Sequence, residues 1–528
     1  MKLSGGTFRL STFGNYTQTD VSQVTPAFHC RATGVPVEIA SDLILTGERH
    51  FLQAEGSDVT FSGTMKDADG SRKGTVTKFV ENNAAHARFT LAGTCAMWGR
   101  NGEGVVFTLR NGTNVVANPA AIATGSQAAG GRSGVRIGTA VLELSGGTYK
   151  TTVTALSHDV TTVFKGDTVL DGHFLCDGEK NGTKKFVFDG ASSVQIKGDV
   201  AMGTVQSPHS TLAFEGTGAV TFRVDGACIA SKTAENKVSA FHCDFWVGPG
   251  SRFGGNHWSS TDFYFQYDTL HALAENVFDP KTVVRWGYYA NNQWGVFDLN
   301  GFDQTINRFA YQSIDPGFGR LVRTDTPARL TLKATASDFC FVRLSGPLTL
   351  VYDAADASYV QTLSNLTQTA TGEIVVSNGT LRLAGSITYK KASAIRIASN
   401  GVFENASTEV DALADVPTVT IEAGGVFRQA VGAANPFGRN TVRFDLQSGA
   451  TIAVEDPDGL VLSEVWVDGV LLNKGRYQSA DGTDATATRV DWLAGVGVVD
   501  VAGLTVWKEA VTADWSEASR WDPWRADG

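Results

Sequence analysis

One short segment recurs at a near-constant interval, and it limits what this chain can fold into. It reads Val376-Ser377-Asn378-Gly379-Thr380-Leu381-Arg382-Leu383 and returns as Ile395-Arg396-Ile397-Ala398-Ser399-Asn400-Gly401-Val402-Phe403. A third copy is Val419-Thr420-Ile421-Glu422-Ala423-Gly424-Gly425-Val426-Phe427, and a fourth is Phe444-Asp445-Leu446-Gln447-Ser448-Gly449-Ala450-Thr451-Ile452. The marker glycines Gly379, Gly401, Gly425 and Gly449 lie 22, 24 and 24 residues apart. Apolar residues two apart share one face of a strand. The Asn-Gly or Gly-Gly step supplies positive φ where the chain turns a corner. A lone unit of this size cannot bury its apolar face, but stacked units pair backbones with the coil above and below. The period therefore predicts an all-β fold, a parallel β-helix (solenoid), with a right-handed coil from the crossover preference.

Weaker copies extend upstream. Ser145-Gly146-Gly147-Thr148-Tyr149 repeats the opening Ser4-Gly5-Gly6-Thr7-Phe8. Phe186-Val187-Phe188-Asp189-Gly190 returns as Leu212-Ala213-Phe214-Glu215-Gly216, with the glycines 26 residues apart. Residues 1–264 read as an irregular solenoid with insertions, 265–455 as regular repeats, 456–502 as a small closing β module, and 503–528 as the start of a further Trp-rich module. The stretch from Asn111 to Gly134, rich in Ala, Gly and Ser, reads as a loop. His271 to Val277 reads as a helical turn, and Glu404 to Leu413 as a loop or short helix.

Composition agrees with strands and tight turns: 58 glycines in 528 residues and only 19% charged residues, below the usual quarter. A net charge of −10 argues against a nucleic-acid partner, since phosphate binding needs clustered Lys and Arg. The short basic pairs Arg72-Lys73 and Lys184-Lys185 read as solvated turns. Six cysteines run from Cys30 to Cys340 without a CxxC pair, which reads as buried free thiols. Cys228 and Cys243 are the one pair placed to bridge neighbouring coils. There is no apolar run of the ~20 residues that a membrane-spanning helix needs. Met1-Lys2 leads straight into turn and strand with no leader, so the chain reads as beginning inside a repeat.

A second motif adds a likeness. Trp294-Gly295-Val296-Phe297-Asp298-Leu299-Asn300-Gly301-Phe302-Asp303-Gln304-Thr305-Ile306 resembles the Leu-Asp-Leu-Asn-Gly-x-Asn/Asp-Gln-Thr-Ile signature of autotransporter-associated β-strand repeat proteins. Thr371 to Leu381 is similar to that family's repeating strand. Val467-Asp468-Gly469, Gly475-Arg476-Tyr477 and Trp492 to Val501 resemble the small β module that ends such arrays. Trp507, Trp515, Trp521 and Trp524 resemble the start of another module. The resemblance covers roughly residues 265–528. It implies a bacterial surface or secreted β-helical passenger, extracellular or at the cell surface, and no single activity.

Catalytic signatures are sparse. Asn-Thr-Asp, Asp-Asp, His-Gly and Arg-x-Lys, which mark polygalacturonase-like β-helices, do not occur, and paired carboxylates on one face are the physical need of glycoside hydrolysis. No P-loop, Gly-x-Ser-x-Gly elbow or His-Glu-x-x-His is present. A lyase draws its base and cation ligands from separate coils and leaves no linear motif. Asp67-Ala68-Asp69-Gly70 and Asp456-Pro457-Asp458-Gly459 read as plain turns. His173 and Cys176 lack the second ligand pair of a zinc site. No cofactor is expected. Aromatics crowd one region, and Trp258, Trp286, Tyr288, Tyr289 and Trp294 are the candidate carbohydrate-binding residues; the competing reading is a core ladder of stacked rings. The sequence thus predicts a structural or adhesive scaffold whose partners are surface glycans or host or matrix surfaces. The alternative is a carbohydrate-binding or polysaccharide-cleaving β-helix. A groove with several Asp or Glu beside Arg or Lys favours the enzyme, and a bare Thr, Ser and Asn face favours the scaffold.

Overall fold

A computed structural model of the chain describes residues 2–3, 7–11, 28–30, 34–46, 49–54, 57–67, 79–82, 88–96, 106–109, 112–122, 134–137, 141–155, 159–176, 182–201, 210–216, 218–229, 235–236, 242–248, 262–265, 267–278, 280–286, 294–310, 320–437 and 442–503. The chain divides into two compact units, Met1–Val277 and Phe278–Gly528. Both are parallel β-solenoids.

In the first unit each coil contributes one strand to each of three faces. Val141–Leu144, Gly147–Tyr149 and Val153–Ala155 form one coil, and Val160–Phe164, Thr168–Leu170 and Phe174–Cys176 form the next. They stack in parallel, with Leu142 opposite Thr162, Thr148 opposite Val169, and Thr154 opposite Leu175. The first face holds ten strands from Lys2–Leu3 to Glu235–Asn236, and another holds nine from Phe28–Cys30 to Cys228–Ile229. Alternation sets the faces: Val160, Thr162 and Phe164 are buried, while Thr161 and Val163 are partly exposed. Phenylalanines fill the centre. Phe186 meets Phe174 edge-on at 4.8 Å, and Phe188 stacks on Phe164 at 5.5 Å.

The second unit repeats the principle with longer strands. One ladder runs Gln304–Ile306, Ala328–Leu332, Leu348–Asp353, Ile374–Gly385, Ile395–Ser407, Thr418–Ile421, Arg443–Leu446 and Glu464–Val467. A second limb runs Asp338–Cys340, Val360–Ser364, the distal halves of the two long strands, Val426–Gln429, Thr451–Val454 and Leu493–Gly495. Inside it Phe403 stacks on Phe427 at 5.9 Å and 18°.

The marker glycines lie along this corner, but the column is not uniform. Gly379 is paired with Gly401, and Val402 with Val426, which sets Gly425 next in line. Val426 then opposes Thr451, so Gly449 falls beside Gly424, one step off the column. Positive φ occurs at Gly379 (84°), Gly424 (82°) and Gly449 (84°). Gly401 serves a different need: a Cβ there would lie 2.1 Å from the Val376 carbonyl oxygen. Gly425 is crowded in the same way, 2.8 Å from the Ile397 oxygen. Some corners need left-handed backbone and others need the close approach of two coils.

Several local expectations change. The Phe186 repeat is offset by 28 residues, not 26, since Phe186 opposes Phe214 and Phe188 opposes Gly216. A two-residue slip keeps every side chain on its own face, so alternation alone cannot detect it. Within Asn111–Gly134 lie a strand, Thr113–Val116, and a 3-10 helix, Pro119–Ile122, because the run Thr-Asn-Val-Val suits a ladder position. His271 and Ala272 end the strand Tyr267–Ala272, and bends and a turn follow in place of a helix. Glu404 to Ser407 belong to the strand Ile395–Ser407. Cys30, Cys176, Cys228 and Cys340 are buried free thiols, and Cys95 is a half-buried one, so Cys228 is in no disulfide.

The closing segment is the last of the described coils, with an insertion. Glu464–Val467 stacks in parallel on Arg443–Leu446, and Leu493–Gly495 on Thr451–Val454. Between them Val470–Leu471 folds back antiparallel on Glu464–Val467, and Gly475–Ser479 runs antiparallel to Val499–Val501. Reversed strands interrupt a ladder that a further parallel coil would otherwise extend.

Candidate functional site

Most of the charged and polar side chains described below stand on the outward columns of the ladders. In the first unit one column reads Thr148, Val169, Gln195, Arg223, Trp246 and His271, each in register with the next. Trp246 and His271 stack at 3.9 Å and 10°. His271 is 7% exposed and Trp246 half-buried. Beside them Asp225 accepts from Gln195 Nε2 at 2.6 Å and from Arg223 Nε. Lys197 pairs with Asp171 at 3.5 Å along the neighbouring column.

This strip has the residue types of a sugar site but not the geometry of one. A sugar ring stacks on an exposed aromatic face. Ladder neighbours are about 4.8 Å apart, so they lie face to face along the column. One face of the Trp246 indole is therefore taken by His271. The amide of Gln195 and the guanidinium of Arg223 are both turned onto Asp225. The sequence signal for the pair was the period itself, because Trp246 and His271 are one coil apart.

In the second unit, arginines and glutamates alternate from coil to coil. Arg396 lies 3.3 Å from both Glu373 and Glu422. Glu404, whose side chain is 6% exposed, sits between Arg382 and Arg428. Arg382 Nε approaches Glu404 Oε1 at 2.8 Å off-line, and the directed hydrogen bond runs from Arg382 Nη2 to Oε2 at 3.2 Å. Arg323 holds Asp298, and Arg308 holds Asp338. In the first unit Arg88 spans a whole coil to Glu143, and Val115, outward-facing between them, is 5% exposed. Among the described residues the outer faces are thus neither a bare Thr, Ser and Asn surface nor a groove of convergent carboxylates. They carry charges tied to each other.

The motif around Asn300 is a corner assembly. Asp298 Oδ1 accepts from the Asn300 N–H at 3.0 Å, Asn300 and Gly301 take φ of 50° and 83°, and the Gly301 N–H donates to Thr324 Oγ1. Asp303 Oδ1 accepts the Arg329 N–H at 2.7 Å. Asp456 likewise opens a turn, accepting the N–H groups of Asp458 and Gly432. His173 Nδ1 accepts the Asp199 N–H at 2.9 Å. Among the described residues no three His, Cys, Asp or Glu side chains gather as a metal site. Burial pushes the Cys176 thiol up to about 12 and the Cys228 thiol higher still, which suppresses the nucleophilic thiolate.

Of the aromatic candidates, Trp258, Tyr288 and Tyr289 lie outside the described residues. Trp286 ends the strand Val283–Trp286 and Trp294 begins Trp294–Asp298; their side chains also lie outside the description. No described helix is long and apolar enough to cross a membrane. No protein-family model, no curated protein and no solved structure matches the chain.

Proposed function

We propose that this chain is a structural scaffold, a β-solenoid displayed on or secreted from a bacterial cell and able to present adhesive surface. The observation that carries the reading is the pairing of outward charges from coil to coil, seen at Glu373–Arg396–Glu422 and Arg382–Glu404–Arg428. A catalytic site aims its charged groups at a substrate position and preorganises them there. Here they are aimed at the next coil and reinforce the stack. The extracellular setting is supported by the likeness of Trp294–Ile306 to the autotransporter-associated repeat.

Carbohydrate binding is the second reading, for which Trp246 and His271 beside Gln195, Arg223 and Asp225 supply the residue types. Incubation of the whole chain with a panel of acidic polysaccharides distinguishes the two. The scaffold releases no unsaturated or reducing ends; steady release of such products overturns it. A glycan array with the native chain and Trp246→Ala then reports binding without cleavage.

A further inference from the structure

The inward column of the second limb in the second unit reads Gln361, Leu381, Phe403, Phe427, Ile452 and Leu493. A glutamine heads a line of apolar residues, and it is 1% exposed. Its carboxamide is held on both sides. Oε1 accepts the backbone N–H of Phe309 at 3.2 Å. Nε2 faces the Asp338 carbonyl oxygen at 3.4 Å and Cys340 Sγ at 3.9 Å. Cys340 is a free thiol, 3% exposed, on the preceding coil. Asp338 opposes Gln361 and Cys340 opposes Leu363, so thiol and carboxamide are diagonal neighbours on one inward face.

We propose that Cys340 and Gln361 form an internal thioester that joins two successive coils covalently. Cys340 Sγ adds to Cδ of Gln361, and the negative charge develops on Oε1. That atom already faces the Phe309 N–H, a backbone donor placed as in an oxyanion hole. The Cδ–Nε2 bond then breaks, the thiol proton leaves with the nitrogen, and one ammonia is released. No oxidant, reductant or other reactant is consumed. An amide is the more stable acyl compound, so the reaction relies on ammonia escaping into solvent and on the reactants being held together. The amide C–N bond is about 1.33 Å, so Sγ lies roughly 4–5 Å from Cδ. A near-attack arrangement needs about 3–3.5 Å, which a shift of about 1–2 Å supplies together with a rotation of the carboxamide that turns the face of Cδ toward Sγ. Burial among Leu363, Leu381 and Leu383 shields the product from hydrolysis.

At Cys340 a sulfur is paired with an acyl carbon whose oxygen is already hydrogen-bonded. The bond closes a loop between residues 340 and 361 and fastens Asp338–Cys340 to Val360–Ser364 at the level where the second limb begins.

The test is the intact mass of the freshly purified full chain, with Cys340→Ala and Gln361→Glu alongside. The native chain is expected to be one ammonia lighter than its sequence, and both variants to show their full sequence mass. In denaturant, Cys340 should resist alkylation until hydroxylamine is added, which frees the thiol and leaves a hydroxamate on Gln361. A native chain of full mass whose Cys340 alkylates at once in denaturant overturns the proposal. So does an ammonia loss that persists in Cys340→Ala, which would place it at an Asn-Gly step instead. Peptide mapping of the native chain settles the bond even where a variant fails to fold.

Discussion

The two units solve one problem, fastening a coil to its neighbour, with different chemistry. In the first, side-chain ties from one coil to the next are mainly carboxylates. Asp42 accepts the Thr64 N–H, Asp58 that of Arg88, Asp167 those of Ser192 and Ser193, and Asp199 that of Ala227. In the second, carboxylate ties persist, as at Asp303 and Glu404, and carboxamides in the interior are added to them. Gln368 accepts the Leu344 N–H and donates to the Val342 carbonyl. Asn307 accepts the Thr335 N–H, and Asn405 donates to Gln429. Spacing differs too. Register steps on the first unit's main face range from 36 residues (Lys2 to Glu38) down to 20 (Val141 to Thr161). Those on the second unit's main ladder range only from 26 (Gln304 to Leu330) to 20 (Leu330 to Leu350). A carboxylate at a corner tolerates variable loops because it binds from outside, whereas an amide inside needs a coil of nearly fixed length.

The largest effect should come from the aromatic cores, which both units share. Phe427→Ala and Phe186→Ala each remove a fully buried ring with several ring neighbours, and each should cost about 3–5 kcal/mol. Denaturant unfolding followed on each variant measures this. Nearly equal losses would show that the difference between the units lies in the ties. A loss below about 1 kcal/mol in either would show that its core is not packed as described.

A smaller effect separates two kinds of corner within the second unit. Gly401→Ala forces a Cβ against the Val376 carbonyl and should cost about 2–4 kcal/mol. Gly449→Ala has open space around it and only strained φ, so about 1–2 kcal/mol is expected. Reversal of that order in thermal melts would mean that φ, not coil contact, governs this corner.

The smallest effect is the most diagnostic. The N–H groups of Ser192 and Ser193 hold the Asp167 carboxyl below its ordinary range, and Lys66 does the same for Asp42. A carboxyl lowered in the folded state contributes stability that is complete above its unfolded pKa. That contribution is lost as pH falls through the lower folded value. Acid below about pH 4 should therefore loosen the first unit at these two corners before the second, whose interior carboxamide ties do not titrate. Hydrogen exchange at stepwise lower pH reads this directly, and Asp167→Asn should matter at neutral pH and progressively less in acid. Simultaneous loosening of both units would remove the distinction drawn here.

The readability of the fold followed the same division. Around Gly379, Gly401 and Gly425 the interval was regular enough to give fold and corner together. At Phe186 and Phe214 it gave the inward face but missed a two-residue slip, because alternation has period two. The aromatic cluster drew attention to Trp286 and Trp294 by density. Trp246 and His271, which do stack, are scattered in sequence and meet only through the coil period. The Cys340 and Gln361 contact had no signature either: a lone cysteine and a glutamine 21 positions apart.

By itself the sequence determined that this chain is a stack of parallel coils. Two-residue alternation and a glycine-marked interval act locally and in every coil, so each copy repeats the same instruction. Only the tertiary structure decided which side chains meet. A neighbour one coil away is chosen by the sum of every insertion and bulge between the two positions, such as the register shift at Val376–Asn378. One residue more or less in that sum exchanges inward for outward, and a local pattern does not carry it.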